Sequence, residues 1–189
     1  EEILVQKFFN RLLYSKDQNI QLLTAVVMLR DMKEVPDSIV NNLAANDKYR
    51  AYLYRFLKRF NKLDKFPAKY KQQELMARSL LVATSDYDRI DSMVLIKVIT
   101  TTHLKDTGQV FFYKYRINKD DLWKMAFSGF QPGNKKEVAT NNTFTVFSEK
   151  VLNYELPELE QFQNEFKKLK ISNTKSGKYF YIDEDYKRF

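Results

Sequence analysis

Residues 84–99 read Thr84-Ser85-Asp86-Tyr87-Asp88-Arg89-Ile90-Asp91-Ser92-Met93-Val94-Leu95-Ile96-Lys97-Val98-Ile99, and the chain changes character across them. The first five are polar and turn-prone and mark a boundary. Beyond them Val94, Ile96 and Val98 alternate with Met93, Leu95 and Ile99. A run apolar on both faces predicts a strand in the middle of a sheet. Upstream of the boundary, apolar residues recur at helical spacing instead. The expected fold is α+β, with a helical region over 1–83 and a sheet-containing region over 84–189.

In the helical half, Ile3, Leu4, Phe8, Leu12 and Leu13 share one face of a first helix. Ile20, Leu23, Val27 and Met28 do so in a second. Pro36 suits the first turn of a third helix, where its missing N–H has no partner to lose. That helix carries Ile39, Val40 and Leu43. Asp47 can cap a fourth helix running to about Asn61, with Tyr49, Leu53, Phe56, Leu57 and Phe60 on its packed side. Residues 70–81 read as a fifth. None of these helices is long enough to be stable alone, so they must pack on one another as a bundle. Over 15–83 the pattern resembles HEAT or armadillo-like helical repeats, with 15–32 and 36–45 as one helix pair. The likeness lies in helix length, a Pro near a helix start and the apolar register. An irregular bundle of about five helices is the alternative.

The second half punctuates itself. Lys105-Asp106-Thr107-Gly108 and Asn118-Lys119-Asp120-Asp121 are turn sequences, and Pro132-Gly133-Asn134-Lys135 breaks a strand. Strands are expected over 93–99, 109–117, 122–130 and 143–148. Short connections make neighbours antiparallel, hence a meander. In the second strand Phe111, Tyr113, Tyr115 and Ile117 are expected to form the core layer, and Val110, Phe112, Lys114 and Arg116 a mixed outer face. A last helix over 156–170 has Glu155, Glu158 and Glu160 early and Lys167, Lys168 and Lys170 late, as its dipole prefers. Its stripe of Leu159, Phe162, Phe166 and Leu169 should lie on the sheet. Residues 179–182 can add a short strand.

Composition limits the chemistry. The chain has 189 residues, is 44% hydrophobic and carries a formal charge of +8, which is globular composition rather than that of a disordered chain. With no Cys, disulfides, Cys-based zinc sites and thiol nucleophiles are excluded. The single His103, beside Thr100, Thr101 and Thr102, reads as a strand-end surface residue. No Gly-x-Ser-x-Gly elbow or phosphate-binding glycine loop occurs. An EF-hand loop counted from Asp86 would need Gly and Glu where Asp91 and Lys97 stand, which leaves only a looser cation site around Asp86, Asp88 and Asp91. Asp120 and Asp121 read as turn residues. No catalytic residue, cofactor site or metal site is therefore assigned. The uncharged stretch 19–29 is too short to span a bilayer. The opening on Glu1-Glu2-Ile3-Leu4, without an initiator Met and already helical in pattern, predicts a piece of a longer protein.

The basic region says more. Between Lys48 and Arg78 stand ten basic residues (Lys48, Arg50, Arg55, Lys58, Arg59, Lys62, Lys65, Lys69, Lys71 and Arg78) against Asp64 and Glu74. Their net charge equals that of the whole chain. On a helix, Lys48, Tyr52, Arg55, Arg59 and Lys62 fall within about one quarter of the circumference at 100° per residue. The stripe through Tyr49, Leu53, Phe56 and Phe60 is centred about 115° away, so one helix can bury the second set and expose the first. The expected function is a non-catalytic protein-interaction or accessory module from the C-terminal part of a larger protein. Lys48, Tyr52, Arg55, Arg59 and Lys62 would bind the partner, either another domain of the parent chain or a separate protein. One alternative is a ligand or enzymatic pocket in a cupped sheet, lined by Tyr113, Tyr115 and Trp123 with Asp88, Asp91 or His103 at its mouth. The other is nucleic-acid binding through the basic helix 48–62, by phosphate contacts and stacking on Tyr52.

Overall fold

The computed structural model describes residues 2–31, 33–85, 90–101, 108–129, 144–174 and 177–182. Helices α1 (Glu2–Leu13), α2 (Gln18–Arg30), α3 (Asp37–Ala45), α4 (Asp47–Arg59) and α5 (Gln73–Thr84) come first, with two 3-10 turns, Leu63–Lys65 and Ala68–Tyr70, between α4 and α5. Strands β1 (Ser92–Thr101), β2 (Gly108–Arg116), β3 (Lys124–Gly129) and β4 (Phe144–Val151) follow. Helix α6 (Glu158–Phe166) and the hairpin β5 (Leu169–Thr174) and β6 (Gly177–Ile182) complete the chain. The α+β class and the helices-then-meander order are as the periodicity predicts. The chain divides into two compact units, Glu1–Ser79 and Leu80–Phe189, so the division falls within α5 and a few residues before the expected 83/84 boundary. Among the described residues no helix is long and apolar enough to cross a membrane.

In the first unit the helix starts obey local chemistry. Asp17 accepts the Asn19 N–H at 2.8 Å to cap α2. Asn46, not Asp47, caps α4 by accepting the Lys48 N–H at 2.9 Å, which puts Asp47 in the first turn beside the positive end of the dipole. Helix α5 begins three residues after the expected Tyr70, which sits in the second 3-10 turn. Two apolar faces are turned differently from expectation. Leu4 and Phe8 of α1, and Ile20 and Leu23 of α2, are exposed, while Leu13, Leu22, Ala25, Met28 and Leu29 are buried. Helix α2 is apolar nearly all round, so its periodicity could not select a face.

Helices α3, α4 and α5 are tied together by buried polar groups. Arg50 is only 2% exposed. Its Nε donates to the Ala44 carbonyl at 2.7 Å and its Nη2 to Ala45 at 2.9 Å, satisfying the open C-terminal end of α3. Its Nη1 donates to the Leu75 carbonyl at 2.8 Å and pairs with Asp47, which also holds Arg78. Ser79 enters α4 itself: its hydroxyl accepts the Ala51 N–H and donates to the Asp47 carbonyl.

In the second unit the sheet order is β1-β2-β3-β4, all antiparallel, with β5 and β6 as a separate pair. This makes β1 an edge strand, not the central one expected from its apolar run. A bulge between Leu95 and Lys97 breaks the alternation, so Ile99 opposes Val110 and Val98 opposes Phe111. Both faces of β2 are covered. Phe111, Tyr113 and Tyr115 are buried as expected, but so are Val110 and Phe112 on the supposed outer face. There Phe112 and Phe127 meet Phe162 and Phe166 of α6 at ring distances of 5.4 to 5.9 Å. Helix α6 ends at Phe166 instead of continuing to Lys170, because Leu169 already opens β5. Leu159 is exposed, whereas Phe162, Phe166 and Leu169 are buried.

Candidate functional site

The basic stripe is built on α4. Its last turn carries Lys58 and Arg59, where cations suit the dipole, and the helix then stops at Phe60. Asn61 adopts φ 54°, the left-handed conformation that Asn tolerates better than most residues. Its N–H bonds the Lys58 carbonyl at 3.2 Å, and the Lys62 N–H bonds Leu57 at 2.8 Å, the paired bonds of a Schellman stop. The chain therefore leaves the helix axis before Lys62. The expected five-residue stripe is shortened to Lys48, Tyr52, Arg55 and Arg59, and Lys62 belongs to the turn beyond.

Arg55 and Arg59 are exposed, Tyr52 is 37% exposed, and Lys48 is half-buried with its ammonium 5.9 Å from the Tyr49 ring centre. Arg55 leans on Tyr52, its guanidinium 6.0 Å from the ring centre. Tyr49 and Leu53 are buried as expected, but Phe56 and Phe60 are only half-buried and stack on each other at 6.4 Å. The face that packs runs instead through Arg50, Leu53, Tyr54 and Leu57. With Tyr49 it is centred about 160° from the stripe at 100° per residue, so the cations project away from the core. Arg50, one of the ten basic residues counted between Lys48 and Arg78, is thus on the packed side of the helix. Its spacing to Leu53, Tyr54 and Leu57 at three, four and seven residues was the available signal.

The described arginines differ in their partners. Arg30, Arg50 and Arg78 of the first unit and Arg116 of the second each lie on a carboxylate, while exposed Arg11 at the end of α1 lies on none among the described residues. Arg55 and Arg59 have no acidic partner among the described residues, and neither do the exposed Lys58 and Lys65.

Lys62 and Lys65 enter a cleft of about 300 Å³ within the first unit. Its floor is apolar, made by Leu29, Val35 and Val40, and the residues at the start of α3 add Glu34 and Asp37. Nothing in the linear order of these residues announces the cleft, because they meet only once α2, α3 and the turn after α4 have packed.

The other candidate residues do not come together. Tyr113 and Tyr115 are fully buried on one face of β2, with Tyr115 against Phe147. Trp123 lies instead with Lys114 and Arg116, whose cationic groups are 5.3 and 5.0 Å from its ring centre. Lys114 pairs with Glu158 and Arg116 with Asp91. The Ser92 hydroxyl bonds the Asp91 carboxylate, and with the Arg116 charge it holds this carboxyl below its ordinary range. Asp86, Asp88 and His103 lie outside the described residues. Asp121 accepts the Asn118 N–H at 2.8 Å, the turn role expected of it. Glu165, only 2% exposed, accepts the Ser148 hydroxyl at 2.8 Å and faces Lys168 at 3.3 Å. No known protein-family model, curated protein sequence or solved structure matches this chain.

Proposed function

We propose that the chain is a non-catalytic interaction module whose helical unit docks an acidic surface of another protein, or of another domain of a parent chain, through α4. The observation that carries this reading is the contrast among the arginines. Arg50 of α4 and Arg78 of α5 are neutralised by Asp47 at the packed face, whereas Arg55 and Arg59 project from the opposite side of α4 with no acidic partner among the described residues. Unpaired exposed cations repel one another and draw in an acidic surface, raising the association rate most where screening is weak.

The test is fluorescence anisotropy of a labelled hexaglutamate peptide across a salt series. The full chain should bind at low salt and release as salt rises. The Arg55→Ala/Arg59→Ala variant should bind several-fold more weakly with an unaltered melting curve. Binding unchanged in the variant would leave the stripe a solvated face, and tighter binding to a generic oligonucleotide would give the surface to nucleic acid instead.

A further inference from the structure

We infer that the partner's acidic segment carries an aliphatic side chain beside its acidic run, and that the cleft next to α4 receives it; this rests on the docking role proposed for α4. Lys62 and Lys65 continue the positive surface from the end of α4 into the cleft, whose floor of Leu29, Val35 and Val40 offers an acidic chain nothing to pair with. Such a floor suits an apolar anchor, and anchors seated in pockets dominate the energetics of protein interfaces. At about 300 Å³ the cleft is at the lower end of ligand-sized cavities, room for one large side chain.

The acids decide the class of partner. Glu34 and Asp37 line the same cleft as the lysines, and none of the four forms an ion pair with a described residue. A phosphate backbone entering here would meet two carboxylates. A protein segment can instead lay its acidic run along Arg55, Arg59 and Lys62, seat the anchor, and turn a neutral or basic residue toward Glu34 and Asp37.

The experiment is a titration of the full chain, carrying ¹³C-labelled Leu and Val methyls, with two peptides. One has four Glu, then Leu, then Lys, with both ends blocked. The other replaces Leu by Ala. The Leu peptide should bind about tenfold more tightly, the usual worth of burying such a side chain, and should move the methyl signals of Leu29, Val35 and Val40. Equal affinities with those methyls unmoved would overturn the cleft assignment while leaving the α4 reading intact. Failure of both peptides to bind would overturn both. A single-stranded oligonucleotide that moved the same methyls would place nucleic acid in the cleft and overturn the inference as well.

Discussion

Arg50 and Arg55 belong to one helix, yet the Arg50 guanidinium reaches four hydrogen-bond acceptors and the Tyr70 ring, while among the described residues that of Arg55 leans on Tyr52 alone. Replacing Arg50 by Ala strips three backbone carbonyls and Asp47 of their donor, and should lower stability by about 3–5 kcal/mol in urea unfolding. Arg50→Lys should recover little, because an ammonium cannot serve a forked set of acceptors. Arg55→Ala and Arg59→Ala should each stay within about ±0.5 kcal/mol, as at ordinary surface sites. Marked destabilisation by those two would instead make the stripe a buried dock. Asp91 gives a second residue-scale prediction. Its folded pKa lies below the ordinary value of about 3.9, so its contribution to stability is present above that value and is lost as pH falls through the folded pKa. Arg116→Ala should raise the Asp91 carboxyl titration followed by NMR. An unmoved midpoint would show that Arg116 does not contribute to it.

At the scale of the element, the end of α4 decides where the basic surface leads. Asn61 in its left-handed conformation closes the helix and sends Lys62 toward the cleft. Asn61→Gly should be neutral or slightly stabilising, because Gly enters that conformation freely. Asn61→Val should cost about 1–2 kcal/mol and weaken acidic-peptide binding together with stability. Full stability in the Val variant would show that the stop does not depend on residue 61. Strand β4 illustrates the same logic in the sheet. A register shift opposite Lys124–Ala126 releases Ser148, whose hydroxyl accepts the Lys150 N–H and donates to Glu165 of α6. One local irregularity thereby fastens the helix to the sheet beneath it.

For the whole molecule, the net charge of +8 is matched by the stretch from Lys48 to Arg78 alone, and the acidic-probe affinity should follow that local charge. Arg59→Glu should weaken hexaglutamate binding several-fold at low salt, whereas Lys150→Glu, the same change in net charge on the second unit, should leave it nearly unaltered. Equal losses would mean that the probe senses only total charge. What the amino-acid order determined by itself is the local part of this architecture. Helical and strand periods and the proline and turn signals depend on neighbours within a few residues, so the α+β class and the element order could be read directly. Tertiary structure decided the rest. Helix α2 is apolar nearly all round and β2 is buried on both faces, so their patterns do not say which side meets which partner. The bulge in β1 reverses an alternation that looks regular in sequence. Arg50 and Arg55 are chemically identical, and only the arrival of the α3 end and of Leu75 makes one a buried tie and leaves the other exposed. The cleft joins residues from three separate segments, and its mixed charges have meaning only after those segments have packed.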